Sequence, residues 1–252
     1  PGPKQVQVRC EQGAEKHGTM AAFYKGYANQ RGRWDGAWRM HRPGEGELWS
    51  YPLPLGNMAV GRVTALGPEV AGFAIGDRVL CYAAFGTVVN AGTNRCWKIA
   101  DDLPWQSAVC LDPAVFALGA IRDGHIRLGD TIAVFGLGAI GLCAVQLARS
   151  AGASVIAVDP VAERRAIAAA TGAVATLGAP GEDVGLRLKE LTDGRGVDAI
   201  IDFSGAVPAL QAALRGIGYL GTIVLGAFPA PHSQGLDFGG EAHMNRPNLV
   251  FS

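Results

Sequence analysis

Apolar residues in the second half of the chain come in short, nearly unbroken runs. Thr131–Phe135, Ser154–Asp159, Val174–Leu177, Val197–Phe203 and Thr222–Gly226 are such runs. Between them lie Gly141–Ala151, Glu163–Thr171, Val184–Thr192 and Val207–Leu214, which read as helices. A strand that is apolar on both sides must be covered on both sides. The alternation therefore predicts a parallel sheet between two layers of helix. The first half has a different texture. Val6-Gln7-Val8-Arg9-Cys10 alternates as a half-buried strand does. Val60–Val63, Arg78–Leu80, Phe85–Val89 and Cys96–Ile99 are further short strands, punctuated by Gly67, Gly72, Gly76 and Asp77. They predict a compact barrel-like or sandwich-like module over 55–99. Residues 17–54 are weakly periodic and are expected to be loop. Their rings (Phe23, Tyr24, Tyr27, Trp34, Trp38, Trp49 and Tyr51) either line a cleft or pack that loop onto the core. Gln106–Asp123 is expected to be helical, with a break near Pro113 and Gly119.

Composition narrows the function classes. Lys plus Arg equals Asp plus Glu at 22 each, so the 252-residue chain carries no formal net charge. No basic run exceeds a pair such as Arg164-Arg165, so neither nucleic acid nor membrane is expected as a partner. The stretch around Ile132–Leu147 is broken by glycines and too short to span a bilayer. The five cysteines are odd in number and form no C-x-x-C pair, which points to reduced thiols and a cytoplasmic protein. Both ends are abrupt. A strand begins after five residues, and Asn248–Ser252 reads as a strand cut short, so the chain is expected to be part of a longer protein.

The sharpest chemical signal is Gly136-Leu137-Gly138-Ala139-Ile140-Gly141. It follows an apolar strand and opens an apolar helix, and an acid, Asp159, closes the next strand about 20 residues on. Each position has a task. Gly136 permits the turn, Gly138 lets backbone approach a pyrophosphate, and Gly141 lets helix pack on sheet. The helix start offers N–H groups to the phosphates. Asp159 can accept from the adenosine ribose hydroxyls, which favours NAD. Arg164 and Arg165 leave NADP open, since an arginine there can receive a 2′-phosphate or simply face solvent. FAD is held by the same logic.

These landmarks, with Gly56…Gly61-Arg-Val, Gly76-Asp77-Arg-Val, Asp202-Phe-Ser-Gly205 and Gly221-Thr-Ile-Val, resemble the medium-chain dehydrogenase/reductase family, zinc-type alcohol dehydrogenase-like group. The resemblance runs over nearly the whole chain. It implies an α/β protein with a GroES-like β-rich catalytic domain over 1–115, incomplete here. A Rossmann doubly wound domain over 116–252 would follow. It also implies hydride transfer between a nicotinamide and an alcohol or carbonyl carbon of a small-molecule substrate held between the domains. Ser204 and Gly226 would then stand near the nicotinamide, at the carboxyl edge of the sheet. Family members are commonly dimers or tetramers, so a homodimer or homotetramer is expected, with Leu249–Phe251 an edge open to pairing.

The chain departs from the family at the zinc ligands. A Cys-Gly-Thr-Asp-like run is replaced by His17-Gly18-Thr19-Met20, a Gly-His-Glu run by Gly56-Asn57-Met58, and the third ligand by Asp112. A neutral amide is a poor zinc partner, and the four-cysteine structural lobe is absent, so no catalytic zinc is expected. In its place His17, Thr19 and Asp112 are candidates for a proton relay, Thr19 standing where the family places a relay hydroxyl. For His17 a loop histidine and for Asp112 a helix cap are the competing readings. His243 is a late candidate in a polar cluster. The function expected is an NAD-linked dehydrogenase of a secondary alcohol, polyol or cyclitol-like substrate. The alternatives are an NADPH-dependent enoyl reductase, against which Asp159 counts, and a non-catalytic NAD(H)-binding protein.

Overall fold

The computed structural model describes residues 1–26, 32–42, 51–227 and 235–252, and only the backbone of His17. It divides into two compact units, Pro1–Asp112 and Pro113–Ser252.

In the first unit β1 (Gln5–Ala14), β4 (Met58–Leu66), β5 (Arg78–Tyr82), β6 (Val88–Gly92) and β7 (Cys96–Lys98) form an antiparallel sheet of order β6-β1-β4-β5-β7. Side chains alternate across a strand. Val6, Val8, Ala59, Val63, Val79 and Cys81 therefore bury one face, while Met58, Val60 and Leu80 bury the other against Ala108. Each fully buried aliphatic side chain contributes about 1.5–3 kcal/mol. The expected strand at Phe85–Val89 begins three residues later, at Val88. Phe85 instead lies against Gly56, where an added Cβ would sit 2.8 Å from its ring.

The expected loop over 17–54 is overturned in two places. His17–Tyr24 is a helix, α1, and Arg33–Asp35 (β2) pairs with Met40–Arg42 (β3) as a hairpin. Asp35 closes its turn by accepting from the Ala37 and Trp38 N–H groups at 2.9 and 3.0 Å. Helix α1 escapes a periodicity search because Gly18 and Thr19 are poor helix formers and Ala22 is its one fully buried hydrophobic side chain. Tyr24, Trp34, Trp38 and Tyr51 are exposed, so these four rings do not pack a loop onto the core. Tyr27 and Trp49 lie outside the described residues.

The expected helix over Gln106–Asp123 is two helices, α2 (Trp105–Ala108) and α3 (Leu111–Asp123). The break falls at Val109-Cys110. Pro113 is no breaker, because the first turn of a helix has no use for its missing N–H.

The second unit is a six-stranded parallel sheet. Its strands are β8 (Thr131–Phe135), β9 (Ser154–Val158), β10 (Ala175–Leu177), β11 (Val197–Asp202), β12 (Ile217–Leu225) and β13 (Asn248–Phe251), in the order β10-β9-β8-β11-β12-β13. Numbered within the unit this is 3-2-1-4-5-6, the doubly wound order whose ligands bind where the order reverses. That point lies between β8 and β11. Helices α4 (Ala139–Ser150), α5 (Ala162–Thr171), α6 (Val184–Glu190) and α7 (Val207–Gly216) supply the covering layers. Ile132, Val134, Val155 and Ile201 pack one face of the sheet, and Phe135, Ile156, Ile200 and Ile223 the other. A short helix not anticipated from the sequence, α8 (Glu241–Asn245), precedes β13.

Candidate functional site

The loop from Gly136 to Gly141 leaves β8 beside the end of β11. Gly136 has φ +83°, and a Cβ there would meet the Ser204 backbone nitrogen at 2.7 Å. Gly141 is tighter still, with a Cβ position 2.0 Å from the Gly136 carbonyl oxygen. Side chains are therefore excluded where backbone must turn and helix must approach it. Gly138 precedes α4 without any side-chain cap, and Ala139 and Ile140 follow in its first turn. The first N–H groups of this twelve-residue helix have no intrahelical acceptor.

Asp159 is 3% exposed and grips the loop. Its Oδ2 accepts from the Leu137 N–H at 2.7 Å, and its Oδ1 from the Val161 N–H at 2.8 Å. Each oxygen keeps a second lone pair for a ligand hydroxyl. The two arginines do different work. Arg164 reaches the carboxylate, 3.6 Å from Oδ2, whereas Arg165 donates to the Asp159 carbonyl oxygen at 2.7 Å. These observations fit a dinucleotide. A bare-backbone loop, a free helix start and an anchored acid converge at the sheet's reversal point.

At the end of β11 sits Asp202, a buried acid in the Asp202–Gly205 stretch that the resemblance puts at the carboxyl edge of the sheet. Its Oδ1 accepts from the Ser204 N–H at 2.7 Å and from the Ser204 hydroxyl at 2.6 Å. Burial pushes its carboxyl above the ordinary range, opposed by the Ser204 hydrogen bonds. The Gly226 N–H donates to the Asp202 carbonyl at 3.0 Å, so Asp202 ties Ser204 and Gly226 to one strand end. His243 lies elsewhere, exposed on α8. It lines an open depression of about 290 Å³ with Phe238 and Arg246.

The first unit holds a second cluster. Asp112 is 5% exposed, at the start of α3. Tyr82 donates to its Oδ1 at 2.9 Å, and the Lys16 Nζ lies 3.5 Å from Oδ2. Burial, and then the hydrogen bond to the Asp112 carboxylate, push the Tyr82 phenol up to about 12. Burial pushes the Lys16 ammonium down, and Asp112 pulls it back. Arg95 stands 4.8 Å over the Tyr82 ring, and Trp97 meets that ring edge-on at 5.6 Å. Thr19 is half-buried on α1, one turn past Lys16. The side chain of His17 lies outside the described residues, so its convergence with Asp112 does too. Lys16 and Tyr82 belong to no motif legible in the sequence. Lys16 had one available signal, its place beside His17.

Zinc is poorly served by these positions. Asn57 offers a neutral amide, and the Asp112 carboxylate already faces an ammonium. Among the described residues no three His, Cys, Asp or Glu side chains group closely enough to hold a metal ion.

Comparison with known proteins bears on both units. Residues 2–144 match the alcohol dehydrogenase GroES-like domain, and residues 139–250 match the zinc-binding dehydrogenase model. The D-guloside 3-dehydrogenase of Escherichia coli (strain K12) is 41% identical over 98% of this chain and 73% of its own length. A Pseudomonas syringae quinone oxidoreductase is 26% identical, with a TM-score of 0.74 over all of this chain and 74% of its own. An NAD-dependent alcohol dehydrogenase at 22% identity shares the fold, with a TM-score of 0.81 over all of this chain and 77% of its own. The chain belongs to the medium-chain dehydrogenase/reductase family, zinc-type alcohol dehydrogenase-like group, and is an NAD(P)-dependent oxidoreductase.

Proposed function

We propose that this protein is an NAD-linked dehydrogenase that oxidises a ring secondary hydroxyl of a glycoside or related polyol to a ketone, without a catalytic zinc. The observation that carries the proposal is the 41% identity, across 98% of the chain, to a D-guloside 3-dehydrogenase. Asp159 supports NAD over NADP. Its carboxylate is fixed by two backbone N–H groups at 2.7 and 2.8 Å and would repel a 2′-phosphate. Arg164 faces that carboxylate and is thereby engaged.

When bound, the nicotinamide supplies the hydride acceptor. Gly136, Leu137, Gly138, Ala139, Ile140 and Gly141 would cradle the pyrophosphate, with Asp159 and Arg164 at the adenosine ribose and Ser204 and Gly226 toward the nicotinamide. Residues 1–115 would form the catalytic part and 116–252 the cofactor part. Thr19 and His17 would carry the hydroxyl proton away, and Asp112 would fix the local charge.

The test is NAD⁺ reduction with methyl α-D-guloside after exhaustive chelation. The chelated protein is expected to keep its rate, with NAD⁺ preferred over NADP⁺ by about tenfold or more, the scale of one charged contact. A rate lost on chelation and restored by zinc would overturn the metal-free reading. Reduction of an activated alkene by NADPH, without alcohol oxidation, would establish the enoyl reductase instead.

A further inference from the structure

The core of the first unit holds two thiols that face each other. Cys81 on β5 stands opposite Cys96 on β7, in an antiparallel register that also pairs Leu80 with Trp97 and Val79 with Lys98. The Ile99 N–H donates to the Arg78 carbonyl at 3.0 Å, so residues 78 and 99 are a hydrogen-bonded pair. Hydrogen-bonded and non-hydrogen-bonded pairs alternate along such a ladder. Cys81 and Cys96, three steps along, are therefore a non-hydrogen-bonded pair. Such pairs have Cα atoms about 4.5 Å apart and side chains at their closest. A disulfide spans roughly 4.4–6.8 Å between Cα atoms, so it fits here without moving the strands. Both side chains are buried, in one cluster with Val79 and Ala91. A buried cysteine ordinarily acts as a small hydrophobe. These two go further, because a hydrogen bond joins their sulfurs. That bond, and then burial, push the Cys81 thiol up, while the same bond pulls the Cys96 thiol down against burial.

We propose that Cys81 and Cys96 are a redox modification site, a cross-strand dithiol that closes to a reversible disulfide when hydrogen peroxide oxidises it. Cys96 attacks first, because the hydrogen bond from Cys81 favours its thiolate. Its sulfur bonds to one peroxide oxygen, the O–O bond breaks, and the other oxygen leaves as water with the proton that Cys96 gave up. Cys96 is then a sulfenic acid. The Cys81 sulfur attacks the Cys96 sulfur, the S–O bond breaks, and a second water leaves with the Cys81 proton. Two thiols and one peroxide thus give one disulfide and two waters, and the electron pair lost by sulfur reduces the peroxide. Strand β7 ends the described sheet, is paired with β5 alone, and leaves Trp97 and Lys98 exposed. Local opening of such an edge admits a molecule as small as peroxide. The bridge then ties the edge strand covalently to β5 and closes the loop between them. Cys10 is the competing thiol. It is half-buried on β1 and near enough to Cys81 to feel its charge.

The experiment treats the folded protein with a modest excess of hydrogen peroxide. The remaining thiols are then alkylated in denaturant, and unreduced peptides are mapped by mass spectrometry. The wild type is expected to lose two of its five thiols. It should yield one linked peptide joining Cys81 to Cys96, and dithiothreitol should restore both thiols. Cys10→Ser should form the same link, and Cys96→Ser should form none. Cys81→Ser has no resolving thiol, so dimedone should label its Cys96 as a sulfenic acid. The oxidised wild type should unfold about 5 °C or more above the reduced form, the scale of closing a loop of this length. Peroxide should not raise the unfolding midpoint of Cys96→Ser. Cys81 and Cys96 both recovered as free thiols would overturn the assignment. So would a link from either of them to Cys10, or a link between two copies of the chain. These outcomes are read on the wild type, so they hold even where a serine variant fails to fold.

Discussion

At Gly141 one added methyl group is enough to disturb the nucleotide loop, because its carbon would fall 2.0 Å from the Gly136 carbonyl oxygen. Neither partner is a flexible side chain, so the helix start or the turn must move. Gly141→Ala is expected to cost about 1–3 kcal/mol of stability and to weaken NADH binding by about tenfold or more. Urea unfolding and a fluorescence titration measure the two effects. Asp159→Asn replaces one acceptor oxygen with a donor that faces a backbone N–H, so a buried hydrogen bond is lost and about 1–3 kcal/mol with it. NADPH should gain on NADH in the same variant.

Asp202 gives a pH dependence of definite sign. Its folded carboxyl is raised by burial, so the folded state binds the proton more tightly than the unfolded chain. Stability therefore falls as pH rises from the unfolded carboxylate value through the folded one, and stays lower above it. Asp202→Asn keeps an acceptor for Ser204 and removes the titration. Its stability relative to wild type should rise from mildly acidic to neutral pH. A flat difference across that range would show that burial does not govern this carboxyl.

At the scale of elements, β8 joins core and site. Phe135 is buried at its end, and its carbonyl accepts from the Phe203 N–H at 2.9 Å. Phe135→Ala should cost about 3–5 kcal/mol by thermal or urea unfolding. What the sequence makes legible follows the same distinction. Strands such as Thr131–Phe135 are readable because burial on both faces forces an apolar run, and the glycine turn because backbone sterics demand glycine at φ +83°. Helix α1 is not readable, since little of it is buried and no periodic stripe is needed. The Pro113 position misleads because proline is tolerated in a first turn. In the candidate site Asp159 was legible from spacing. The partners of Asp112 were not, because Tyr82 reaches it from β5 across 30 residues of sequence.

At the scale of the whole molecule, an antiparallel GroES-like unit and a doubly wound parallel unit of order 3-2-1-4-5-6 stand in one chain. The second unit carries a glycine loop and an anchored acid suited to a dinucleotide, and the first carries a charged cluster of Lys16, Tyr82 and Asp112. Fold alone does not fix the substrate. The proposed substrate class rests on the 41% identity to a D-guloside 3-dehydrogenase. Isotope transfer tests this most directly. Methyl α-D-guloside carrying deuterium at ring carbon 3 is incubated with the protein and NAD⁺, and the recovered cofactor is read by proton NMR. Deuterium at carbon 4 of the nicotinamide, with a ketone at sugar carbon 3, is the expected result. Recovered NAD⁺ without deuterium, beside unchanged sugar, would contradict it.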